Sequence, residues 1–107
     1  RVPYGAEPLN FAKLSITFEA PDEARFPCLR LAREALASGG SAPAILNGAN
    51  EAAVAAFLEE RIPFGGIPRL VEAALDRVPK RVISSMADVV EADRLAREFV
   101  SQAIRAL

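Results

Sequence analysis

Between residues 13 and 19 the chain alternates cleanly. Leu14, Ile16 and Phe18 fall on one side and Lys13, Ser15, Thr17 and Glu19 on the other, and the β-branched and aromatic residues favour a strand there. No other stretch alternates convincingly; Arg81 to Ser84 comes nearest and is very short. A strand with no partner in its own chain reads as one built to join a sheet outside it. Ahead of it, Pro3, Gly5 and Pro8 oppose both helix and ladder pairing, which predicts an irregular, extended lead-in.

Past residue 20 the period changes from two to that of a helix. Pro27 sits where proline is preferred, in the first turn of a helix that Gly39 and Gly40 end, and Cys28, Leu31, Ala32, Ala35 and Leu36 form its expected buried stripe. Residues 46–58, LNGANEAAVAAFL, are apolar on nearly every side: between Ala49 and Leu58 only Asn50 and Glu51 are polar. Such a helix belongs at the centre of a bundle, with Val54 and Phe57 deep in the core, and its alanines let neighbouring helices approach closely. After the tight IPFGGIP connection, where Phe64 is expected to plug the end of the bundle, Ile67, Leu70, Val71, Ala74, Leu75 and Val78 give another stripe that ends before Pro79. Ser85 and Asp88 have the spacing of a capping arrangement, and Val89, Ala92, Ala96, Phe99, Ala103 and Leu107 carry the longest helix to the C-terminus. Its far face pairs Asp93 with Arg97 and Arg94 with Glu98, which places Arg94 in solvent. The expected fold is mainly α, a small bundle of about four helices preceded by an extended arm with one β-strand. Residues 1–20 would be linker and sheet strand, and residues 21–107 the helical domain.

Composition narrows the chemistry. The 107 residues suit one domain with a modest core, and 13 basic against 14 acidic side chains leave a net charge of −1, so nothing points to nucleic acid. The longest apolar run, Ala52 to Leu58, is too short to cross a bilayer and no signal pattern opens the chain, which leads to the expectation of a cytoplasmic protein. With one cysteine and no histidine, an internal disulfide, the usual zinc-ligand sets and histidine-based triads cannot be assembled. Cys28 reads as a small core residue rather than a reactive thiol. Opening on Arg1 rather than methionine suits a piece of a longer protein.

Four features could carry chemistry, and each has a plainer reading. Asn47 and Asn50, three apart at the polar entrance of the central helix, could hold an anionic group; with no basic residue nearby, a helix cap and a backbone hydrogen bond account for them. Gly65 and Gly66 could cradle a phosphate, but no lysine follows. The turn of residues 39–43 is too short for a phosphate loop. Asp88, Glu91 and Asp93 could suggest a metal, yet acidic side chains near a helix start already suit its dipole.

LNGANEAAVAAFL resembles the LNAANE segment in the C-terminal domain of deoxyxylulose phosphate reductoisomerases. PLNFAKLSITFEAPD (residues 8–22) and FPCLRLA (26–32) are similar to segments just upstream in that family, and EADRLARE (91–98) to its last helix. Gly48 stands where the family usually has alanine. The resemblance implies the C-terminal structural domain of an NADPH-dependent enzyme that rearranges and reduces a sugar phosphate for isoprenoid precursor synthesis, with a divalent metal (Mg or Mn). The family's nicotinamide-binding fold, acidic metal ligands and phosphate contacts match nothing here. No catalytic, cofactor-binding or metal-ligating residue carries over, so the chain alone is expected to be inactive, its partners being its own catalytic domain and a second subunit in a homodimer reached by the N-terminal arm. Composition alone would also permit a stand-alone helical interaction module.

Overall fold

A computed structural model describes residue 5 and residues 9–106. Most of the proline-rich lead-in, and Leu107 at the end of the last stripe, lie outside the described residues. Four helices build the fold: α1 (Cys28–Ser38), α2 (Ala42–Leu58), α3 (Gly66–Arg77) and α4 (Met86–Arg105). The helical bundle expected from the stripes is present, and α2 is its centre, packing on α4 and α3 most extensively and on α1 as well.

Among the described residues there is no strand, which corrects the expectation for residues 13–19. Phe11–Lys13 form a single 3-10 turn capped by the Asn10 side chain; Leu14 leaves it with extended backbone, and residues 15–22 belong to no helix or strand. Ile16 and Phe18 stand in the open, Phe18 at 89% exposure. The physical reason is the one the alternation itself raised: an extended segment becomes a strand only where another backbone meets its donors and acceptors, and this chain supplies none.

The packing of α2 is set by small residues. Ala42, Ile45, Gly48, Ala49, Ala53 and Ala56 are its buried positions, spaced three and four apart along one side. The opposite edge, Asn47, Glu51, Ala55 and Leu58, is exposed, so α2 is central without being enclosed. Val54 and Phe57, expected deep in the core, are only half-buried. Every member of the predicted α3 stripe is buried, from Ile67 to Val78. On α4, Ala92, Ala96 and Val100 are buried, while Val89, Phe99 and Ala103 flank them half-buried.

The α1 stripe is narrower than predicted. Leu31 and Ala35 are buried, but Ala32 is exposed, Leu36 is 76% exposed and Cys28 is also exposed. Helix α1 packs on α2 and α3 through the face that carries Leu31 and Ala35, and Cys28, its first residue, is left exposed.

Backbone chemistry fixes the corners. Gly39 and Gly40 take positive φ (66° and 53°), and a Cβ on Gly40 would come within 2.6 Å of the Arg81 carbonyl oxygen. Ser41 follows, 1% exposed: its N–H donates to the Arg81 carbonyl (2.9 Å) and its hydroxyl accepts from the Arg81 N–H (2.8 Å), tying the α3–α4 connection to the start of α2. At the other end of α2, the Glu60 N–H donates to the Phe57 carbonyl and the Arg61 N–H to that of Ala56, the pattern of a Schellman turn. Glu60 occupies its left-handed position (φ 58°), where glycine is the unstrained residue. Glu60→Gly is therefore expected to stabilise the fold by about 1 kcal/mol, the cost of left-handed backbone for an L-residue; a lower unfolding midpoint in urea for the variant would contradict this assignment.

Candidate functional site

The acidic residues at the start of α4 are consumed by structure. One Asp88 carboxylate oxygen accepts from the Ser84 and Ser85 N–H groups (2.9 and 2.8 Å) and from both hydroxyls (2.9 Å each), while the Ser85 hydroxyl accepts from the Asp88 N–H. This is a capping box, as the spacing predicted, with Asp88 also holding the residue before the cap. The Ser84 backbone N–H, followed by the serine hydroxyls, holds the Asp88 carboxyl down from 3.8 to about 2. Glu91 pairs with Arg94, and Asp93 with Arg97. Among the described residues no three Asp, Glu, Cys or His side chains are grouped to hold a metal ion.

The two asparagines do not share a site. Helix α2 starts more than a turn before Asn47, so Asn47 is not its cap; its amide donates to Glu51 Oε1 (3.1 Å). Glu51 also accepts from Arg97 across the α2–α4 seam, and Arg97 grips Asp93 on its own helix. Arg97 first, then Asn47, holds the Glu51 carboxyl below its ordinary value. This exposed chain, Asn47–Glu51–Arg97–Asp93, lies over the closest approach of the two helices. A Cβ on Gly48 would meet Asp93 at 2.7 Å from Oδ1, 2.9 Å from its carbonyl oxygen and 3.2 Å from its Cα.

Asn50 faces the other way, into an open cleft of about 280 Å³ between the N-terminal ends of α1 and α3. Phe26, Val54, Phe64, Ile67 and Pro68 form apolar walls, and Cys28 stands on the rim. Phe64 does not plug the bundle: it is largely exposed and meets Phe57 edge-on, ring centroids 5.7 Å apart. The Arg25 guanidinium lies 5.5 Å from the Phe26 ring centre. Gly66 admits the side chain of Ile62 at close range, a packing role rather than a phosphate cradle. Within α2 the cleft is lined by Asn50 and Val54, four apart on one helical face, a spacing legible in the sequence; the contributions of Phe26 and Pro68, from the ends of other helices, are not. The arrangement can bind an apolar group with one amide for orientation. It offers no nucleophile paired with a base.

The family model described as the DXP reductoisomerase C-terminal domain matches residues 1–99. The chain is 50% identical over 103 residues to the 1-deoxy-D-xylulose 5-phosphate reductoisomerase of Nitrosospira multiformis and 52% identical over 101 residues to that of Methylococcus capsulatus. These alignments cover 95% and 94% of this chain but 26% of each relative, so the chain spans about a quarter of their length. Among solved structures, it is similar to the Zymomonas mobilis enzyme in complex with NADPH, with TM-score 0.87, 45% identity, and coverage of 100% of this chain and 29% of that one. A DOX-P reductoisomerase in complex with magnesium gives TM-score 0.81 at 34% identity over 95% of this chain and 28% of that one.

The Asp88 geometry sets an acid dependence. The unfolded chain takes up this proton near 3.8 and the folded chain only near 2, so stability from the cap is complete above the first value and is lost as pH falls towards the second. Denaturant titrations across that interval should show a shallower fall of stability with acid for Asp88→Asn than for the parent; equal slopes would mean the cap does not carry this linkage.

Proposed function

The chain belongs to the DXP reductoisomerase family, whose C-terminal domain model it matches over nearly its whole length, and on that footing we propose that it braces the catalytic portion of an NADPH-dependent reductoisomerase of isoprenoid precursor synthesis. The observation that carries this reading is the pairing of near-complete coverage of this chain with coverage of only 26% of its relatives. A domain so related contributes shape and rigidity to a larger enzyme. Residues 21–107 are the bracing unit and residues 1–20 the arm that leads to the rest.

The residues present do not fit either group that the relatives bind. Nicotinamide dinucleotides sit on a glycine-rich turn between a parallel strand and a helix, and the glycine pairs here join helices. A divalent metal needs converging carboxylates, and Asp88, Glu91 and Asp93 each answer to a serine or arginine instead. NADPH and magnesium or manganese would therefore be held upstream, and this chain supplies no catalytic, cofactor-binding or metal-ligating residue. The exposed apolar side chains of the arm, Leu9, Phe11, Ile16 and Phe18, suit a segment that is covered in the whole protein, by its sheet or by a second subunit of a cytoplasmic homodimer.

Assayed by itself with deoxyxylulose phosphate, magnesium and NADPH, the chain should give no NADPH oxidation above a blank, whereas the full-length protein should turn over and lose that activity when residues 21–107 are removed. Full turnover by the truncated protein would overturn the bracing role.

A further inference from the structure

Resting on the reading of this chain as one domain of a larger enzyme, we propose that the cleft between α1, α2 and α3 is the seat of an apolar segment from the upstream portion of the same polypeptide. Its walls are the first reason. Phe26 and Phe64 are both more than half exposed, and with Val54, Ile67 and Pro68 they enclose about 280 Å³, room for one or two large apolar side chains. Leu36 and Leu58, also exposed, line no such cleft. Contiguous apolar walls of this kind gain by being covered, and isolated exposed leucines need no partner.

Its polar content is the second reason. Among the described residues the Asn50 side chain makes no hydrogen bond, and an amide offers both a donor and an acceptor. That pair matches a peptide unit, whose N–H and C=O must be satisfied when the flanking side chains are buried. The cleft thus suits a polypeptide segment better than a purely hydrocarbon group.

Tethering selects which polypeptide. Arg25, Phe26, Pro27 and Cys28 line the cleft and are also where the arm joins the bundle, through the turn in which the Phe26 N–H donates to the Asp22 carbonyl. Whatever precedes the arm is tethered to the cleft mouth through the residues ahead of Arg25, which sets an effective concentration on the order of millimolar. A second copy in solution has no such advantage. The chain covers 26% to 29% of its relatives, so the larger part of such a protein is available upstream to fill the cleft.

Cys28, exposed on the cleft rim, reports occupancy directly. In the folded full-length protein, alkylation of Cys28 by N-ethylmaleimide, read by mass spectrometry of its peptide, should be at least about tenfold slower than in the same protein unfolded in urea. Phe64→Asp should restore fast labelling, and Leu36→Asp, away from the cleft, should not. The parent protein's rate alone decides the matter even if a variant misfolds: labelling at the unfolded rate overturns the inference. Protection that disappears on dilution to the monomer would place a second copy in the cleft and also overturns it. A freely labelled Cys28 in a protein that still needs residues 21–107 for turnover would discard the cleft as the contact while leaving the bracing role intact.

Discussion

The close crossing of α2 and α4 at Gly48 is the constraint around which the bundle is arranged. The Asp93 backbone lies where a Cβ on residue 48 would be, so the two helices meet main chain to main chain. Ala42, Ala49, Ala53 and Ala56 extend the same condition along α2, each with no exposed surface. Small residues on the central helix let three neighbours share its sides, and larger ones on those neighbours fill the space: Leu31 on α1, Val71 and Leu75 on α3, Val100 on α4. Burial of that kind, rather than any one polar contact, holds the fold.

Polar groups position what the apolar contacts hold. Among the described residues Ser41 is the one buried polar residue, and its two bonds to Arg81 close the corner where α1 ends, α2 begins and the α3–α4 connection passes. The Ser85–Asp88 box fixes the start of α4. The ion pairs of Arg30, Arg94 and Arg97 are exposed and add little to stability, although the Glu51–Arg97 pair keeps register across the seam that Gly48 opens.

The helices were legible because their stripes repeat over several turns; α3 is the clearest case, with all six predicted positions buried. The Ser85–Asp88 cap was legible because its chemistry is local. The strand at residues 13–19 was not, since pairing depends on a second backbone that alternation does not supply. Asn47 looked like a cap because polarity begins there, whereas Ser41, Ala42 and Pro43 already start the helix. Cys28 and Leu36 fit the α1 stripe by spacing, but spacing does not say how much of a helix its neighbours cover. The cleft eluded sequence reading for a related reason: its walls come from three separate stretches, residues 25–28, 50–54 and 64–68, each apolar for local reasons of its own.

Gly48→Ala tests the crossing most directly, because two effects predict opposite signs. Helix propensity alone favours alanine over glycine by about 1 kcal/mol. The Asp93 carbonyl and Cα, at 2.9 and 3.2 Å from the new methyl, are main-chain atoms that cannot rotate away, and overpacking of that kind costs about 1–3 kcal/mol. Equilibrium unfolding in urea should therefore show the alanine variant less stable than the parent. A variant more stable than the parent would mean that the helices part without cost, and that the close approach at Gly48 does not set the geometry of the bundle.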